Sequence, residues 1–243
     1  MNRIGWAACT GVAAMVLLTP QWAAADDRDT CIHESGDVAI AACTRQINSG
    51  RYSGKSLAIA YMNRGVEWKK KEEYDKALAD YDKSIQLDSQ SADTFYNRCR
   101  VYLILHKYDA ALADCNRALA LPPPGDTLTD GNSTTADENR ADYFQQRGKV
   151  YIDRGEYDRA IADLDQAIRL VPDDRTYFYD RASAYYRKKD YDNAVADFSM
   201  ALRLKPDYAL ALYWRGRAKQ EMGDTGGDKD IAAAKKINPD VDK

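Results

Sequence analysis

In the stretch YDKALADYDKSIQLD, Tyr74, Ala77, Leu78, Tyr81, Ser84 and Ile85 fall three or four residues apart, with charged or polar residues between most of them. That spacing follows the 3.6-residue period of a helix with one buried face. The same pattern returns as YDAALADCNRALALP from Tyr108, YDRAIADLDQAIRLV from Tyr157 and YDNAVADFSMALRLK from Tyr191. A second, less regular helical pattern precedes each copy. The chain therefore reads as one helix pair repeated, and such a chain can bury its apolar faces only by stacking neighbours.

Aligning the copies gives a frame of 34 residues, with units at 58–91, 92–125, 141–174 and 175–208 and an imperfect fifth from Ala209. Position 8 is small (Gly65, Cys99, Gly148, Ala182, Gly216), and position 11 is aromatic in the first four units (Trp68, Tyr102, Tyr151, Tyr185). Position 20 is Ala77, Ala111, Ala160 or Ala194, and position 27 is Ser84, Ala118, Ala167 or Ala201. Small residues at 8, 20 and 27 let two antiparallel helices approach closely, and the aromatics fill the space beside them. Pro123, Pro172 and Pro206, all at position 32, stop the second helix.

This pattern resembles the tetratricopeptide repeat, in period and in the residue classes at those places. The resemblance implies an all-α fold, a right-handed superhelical solenoid of helix-turn-helix units. In that family the first helices line a concave groove that holds a peptide or a partner's surface. On this frame, 26–57 is an amino-terminal capping segment whose GDVAIAACTRQI, from Gly36, resembles a second helix lacking its first. Residues 58–125 are repeats 1 and 2, and 141–208 are repeats 3 and 4. Cys99 and Gly148 stand 49 residues apart rather than 34, so 126–140 is an insertion loop, either a spacer or a flap beside the groove. Residues 209–243 form a degenerate fifth repeat and carboxy-terminal cap, with Pro239 one place early. Asn132 in NST would accept a glycan only in a eukaryotic secretory pathway.

Position 7 is Arg in all five units (Arg64, Arg98, Arg147, Arg181, Arg215), and position 23 is Asp in the first four (Asp80, Asp114, Asp163, Asp197). The five Arg residues form either an anion-binding track or, as one spacing for acid and base favours, pairs within each unit. The groove face of the first helix is sought at positions 2, 5, 9 and 12. It offers Met62 and Val66, then Tyr96, Arg100 and Leu103, then Gln145 and Lys149, then Tyr179, Ser183 and Tyr186, then Tyr213 and Arg217. Lys69, Asp93 and Asp142 share that face. Such a mixture suits either a binding surface or a solvated wall. The family's carboxylate clamp implies Lys, Asn and Arg where this chain has Met62, Val66, Asn97, Asp142 and Gln146, so only Asn97 matches.

Residues 1–25 carry Arg3, an uncharged apolar run from Ile4 to Leu18 and small residues at Ala23 and Ala25. They read as a cleaved signal peptide, because the run is shorter than the roughly 20 residues of a membrane span. The expected location is periplasmic or secreted. Removing that segment takes the formal charge from -3 to -4 and removes Cys9, leaving Cys31, Cys43, Cys99 and Cys115 in an oxidising compartment. Cys31 and Cys43 are expected to bridge. In the family, positions 8 and 24 face one another, so Cys99 and Cys115 are either a second bridge or two buried thiols.

The near balance of charge excludes a nucleic-acid footprint. His33 and His106 are isolated, and no phosphate loop, metal cluster or nucleophile motif occurs, so no enzyme, metal or cofactor is expected. The expected function is a protein-binding scaffold or adaptor with a protein or peptide partner. The alternative is an accessory or enzymatic subunit in envelope or polysaccharide biogenesis.

Overall fold

The computed structural model describes residues 21–122, 127–129 and 132–242. The expected signal segment lies outside them as far as residue 20. The described residues form helix pairs in chain order: α1 (Gln21–His33) with α2 (Gly36–Asn48), α3 (Gly54–Lys70) with α4 (Tyr74–Leu87), and α5 (Ala92–Ile104) with α6 (Tyr108–Ala120). A hairpin of β1 (Thr127–Thr129) and β2 (Asn132–Thr134) follows. Then come α7 (Ala136–Asp153) with α8 (Tyr157–Leu170), α9 (Arg175–Arg187) with α10 (Tyr191–Leu204), and α11 (Ala209–Glu221) with α12 (Gly226–Ile237). The result is an all-α solenoid of stacked repeats.

Two expectations need correction. The amino-terminal second helix is not without a partner: α1 lies beside α2 and also reaches α3. Its helix begins at Gln21 and so runs through the expected cleavage point. The insertion is not loop throughout. Thr127 pairs with Thr134 and Thr129 with Asn132 in the antiparallel hairpin, and 136–140 belong to α7. A capping box explains the early start of that helix. Thr135 Oγ1 accepts from the Glu138 amide at 3.1 Å while Glu138 Oε2 accepts from the Thr135 amide at 2.6 Å.

In the first four repeats position 8 faces position 24, and their sizes are matched. A Cβ added to Gly65 would stand 2.7 Å from the Tyr81 ring, and one added to Gly148 would stand 3.2 Å from Leu164 Cγ. Ala182 accompanies Phe198, and all these residues are fully buried or nearly so. In the fifth repeat, Gly216 faces Gly227 and Ile231. In the second repeat two medium residues meet, and the Cys99 and Cys115 sulfurs lie at bonding distance with their Cα atoms 5.6 Å apart. Cys31 and Cys43 are also at bonding distance, Cα to Cα 4.8 Å, joining α1 to α2.

The turn inside every unit needs one left-handed residue, always at position 15: Glu72, His106, Gly155, Lys189 and Gly223 all have positive φ. Only two of the five are glycine, so the turn is imposed by packing on either side more than by local preference.

Charge pairing then fixes how the units stack. Arg147 Nε and Nη2 donate to Asp163 at 2.8 and 2.7 Å, and its Nη1 donates to Asn116 of the preceding repeat at 2.7 Å. The same fork joins Arg64 to Asp80, Arg98 to Asp114 and Arg181 to Asp197. In the fifth unit the acid is Asp230, 15 residues from Arg215 rather than 16. That missing residue also accounts for the early Pro239. The five Arg residues are thus engaged within the fold and do not form an open anion track.

The Asp partners are buried and the Arg partners about one-fifth exposed. Removing one partner of such a pair strands a charge, at a cost of about 3–5 kcal/mol. Arg147→Ala and Asp163→Ala are each expected to destabilise by this order. The double variant should cost clearly less than the sum, as read from urea unfolding of all four proteins; strict additivity would refute the pairing.

Candidate binding groove

The first helices α3, α5, α7, α9 and α11 touch one another in succession, whereas among the described residues no comparable contact joins successive second helices. Helices that crowd together on one side and spread on the other curve the stack. The first helices therefore line the inner, concave wall, the place at which the groove residues were expected.

That wall is stitched from repeat to repeat by phenol and carboxylate. The Tyr143 hydroxyl, on α7, donates to Asp93 of α5 at 2.5 Å, and the Tyr177 hydroxyl, on α9, donates to Asp142 of α7 at 2.8 Å. Burial pushes both carboxyls above the ordinary carboxylate range, although the phenol bonds work against the shift. Asp180 on α9 is pushed up by burial too, while it accepts from Gln145 at 2.7 Å and pairs with Lys149 at 3.3 Å.

The expected groove residues accordingly separate into three groups. Gln145 is buried and committed to Asp180 and Thr176, so it is not offered to a partner; this corrects its assignment to the open surface. Met62 and Val66 pack beside the buried Tyr81 and Val101, and Leu103 beside Cys99 and Val150. Tyr96 leans on Tyr143 with ring centroids 5.1 Å apart, and burial raises its phenol to about 12. Tyr179 lies against Phe198 and Tyr208, its phenol likewise raised to about 12 by burial. These two tyrosines hold the fold as well as the wall. Arg100, Lys149, Ser183, Tyr186, Tyr213 and Arg217 remain half-exposed on the inner side.

Two clefts open along the wall, each of ≈ 310 Å³. The one near the carboxy terminus is aromatic: Tyr179, Tyr186, Phe198 and Trp214 line it, with Ser183 and Arg187. The Tyr186 ring meets the Trp214 ring edge-on at 5.2 Å. The one near the amino terminus is polar and cationic, with Asn63, Val66, Lys69 and Lys70 from α3, Asn97 and Arg100 from α5, and Cys31 and Glu34 from the amino-terminal pair. Asn63, Asn97 and Trp214 occupy position 6 of their units and Lys70 and Arg187 position 13. Residues 2, 6, 9 and 13 form one helical stripe, so extending the groove face by that stripe would have found them in the sequence. Among the described residues no group of three or more His, Cys, Asp or Glu side chains is arranged to hold a metal. His33 and His106 are exposed and line neither cleft, although His33 stands between Ile32 and Glu34 beside the amino-terminal one; His106 meets the Tyr108 hydroxyl at 2.9 Å.

Comparison with known proteins agrees with the architecture. Family models described as tetratricopeptide repeat match residues 58–91 and 146–209. Protein unc-45 homolog B of Danio rerio is 33% identical over 95 residues, 39% of this chain but 10% of that protein. The Xenopus laevis protein of the same name is 33% identical over 76 residues, 31% of this chain and 8% of its own length. The chain therefore spans only a small part of the curated relatives it matches. Among solved structures, a tetratricopeptide repeat protein of Parabacteroides merdae superposes with a TM-score of 0.66 at 17% identity, over 87% of this chain and 79% of that one. MamA of Desulfovibrio magneticus gives 0.63 at 16%, over 76% and 97%. YrrB, described as a TPR protein with an unusual peptide-binding site, gives 0.60 at 23%, over 83% and 95%. Period, register and helix pairing agree from unit to unit, and together with the matches over residues 58–91 and 146–209 they support a tetratricopeptide repeat protein.

Proposed function

We propose that the chain is a non-catalytic scaffold or adaptor of an extracytoplasmic compartment, periplasmic or secreted, and that it holds an extended segment of a partner protein against its inner wall. The inner wall carries this reading. It presents half-exposed Arg, Lys, Ser and Tyr side chains between a cationic cleft at one end and an aromatic cleft at the other. A peptide crossing such a surface buries apolar side chains in one place and satisfies polar groups in another, the mixture that carries binding energy at protein interfaces. The description of YrrB as having a peptide-binding site supports a similar use of this fold.

Arg187→Ala combined with Arg217→Ala should weaken capture of a stoichiometric partner from the native host by about tenfold, the loss of one good charge-assisted contact. Melting temperature should stay close to that of the parent chain, because both side chains are partly exposed and Arg187 makes only a 4.0 Å pair with Asp153. Undiminished capture by this variant would count against the inner wall. Turnover of a polysaccharide by the purified chain alone would replace the scaffold reading with an enzymatic one.

Export rests on the amino-terminal segment and on sulfur. No helix among the described residues is long and apolar enough to cross a membrane. All four cysteines outside the signal stand in two pairs at bonding distance, an arrangement that persists as disulfides in oxidising compartments. Each bridge closes a short loop and is expected to stabilise by about 3 kcal/mol in the chain-entropy account. Mass spectrometry of the unreduced protein from its host should find peptides linked 31 to 43 and 99 to 115 and an amino terminus near residue 26. Four free thiols on an uncleaved chain would overturn the location.

A further inference from the structure

The cationic cleft has a charge imbalance that the fold itself does not use. Glu67 is buried and fully engaged: it accepts from the Gly36 amide at 2.7 Å and pairs with Lys70 at 2.6 Å. Its charge thus closes the turn between α1 and α2 and matches Lys70. Lys71 is paired with Asp37. Lys69 and Arg100 are the remaining cations of the cleft, and among the described residues neither has a carboxylate partner within ion-pair distance. Arg100 lies over the Tyr96 ring at 5.5 Å, a contact that favours this position of the guanidinium without neutralising it. The amides of Asn63 and Asn97 border the same space, Asn97 using one N–H on the Asp93 carbonyl at 3.0 Å. Glu34, exposed, stands at the rim.

We infer that the space between Lys69 and Arg100 is a binding site for a carboxylate of the partner segment, either an Asp or Glu side chain or a free carboxy terminus. This inference rests on the groove reading above and names the chemistry of its occupant. A guanidinium, an ammonium and two amides line one cleft from α3 and α5, and a planar carboxylate can take a guanidinium by two oxygens at once. The cost of leaving the cations together is visible in Lys69, whose amine is brought down to about 8, first by burial and then by Arg100. A bound carboxylate removes that repulsion and draws the Lys69 proton back, so binding is strongest below the free amine's value and weakens as pH rises through it. The site uses position 12 of the first unit and position 9 of the second. Asn97 is the one residue shared with the family's clamp; its other positions hold Met62, Val66, Asp142 and Gln146 here, so both cations of this site come from different positions.

The test uses two pools of random octapeptides on the purified chain at pH 7, identical except that one central residue is fixed as Glu or as Gln. Each pool is prepared with a free and with an amidated carboxy terminus. The parent chain should retain the Glu pool, or the free-terminus pool, about tenfold over its neutral counterpart, the order expected of one charge-assisted contact. Which of the two contrasts is large distinguishes a side chain from a chain end. The preference should vanish in Lys69→Gln and in Arg100→Gln. Equal retention of acidic and neutral pools overturns the carboxylate site and leaves the groove standing. A preference that persists in both variants places the anion elsewhere and also overturns it. Retention of no pool at all defeats both the site and the groove.

Discussion

The structure depends on a forked ion pair repeated five times. In every unit the guanidinium at position 7 grips an acid on the second helix with Nε and Nη2, and turns Nη1 toward the unit before it. The acceptors of that third bond are Thr44, Asp82, Asn116, Asp165 and Ser199. From Asp82 onward they all occupy position 25. One planar, rigid side chain thereby sets two distances at once, the separation of the helices within a unit and the register of that unit on its neighbour. Hydrophobic contact supplies most of the free energy of burial, but it is non-directional. The fork selects one stacking among many that would bury similar area. It also explains why the acid cannot be dispensed with in the fifth unit, where a residue is missing and Asp230 takes the place one position early.

The inner wall follows from that stacking. Because each first helix is held against the next, residues from neighbouring units meet there, and the Tyr143 to Asp93 and Tyr177 to Asp142 bonds can form. These carboxyls are raised by burial. Their protonated form is favoured in the fold, so their contribution to stability is fullest below the unfolded carboxylate range and declines as pH rises through the raised value. The wall thus spends polar groups on its own cohesion in the middle and keeps its open chemistry at the two ends.

Most of the architecture was legible because a repeat displays each packing rule several times. The small residue at 8, the Ala at 20 and the Arg with Asp at 7 and 23 all appear in the sequence as columns, and the structure realises them as columns. What escaped notice were features without a column. The left-handed residue at 15 is Glu, His, Gly, Lys and Gly, so nothing in the composition marks it. The hairpin strands are three residues long, too short for a period of two to show. The capping helix α1 begins at Gln21, inside a segment whose composition reads as a signal, and its pairing with α2 is a tertiary fact. Gln145 has the right register for the groove but turns to Asp180, a partner 35 residues away that periodicity cannot identify.

The central claim is that the inner wall captures a partner segment. A photoactivatable residue placed at Tyr213, on the wall, and separately at Lys83, on the exposed side of α4, would test it in the native host. The account predicts one discrete crosslinked product from position 213 and none above background from position 83. Crosslinking from position 83 with none from 213 would contradict it and move the interaction surface to the outer helices.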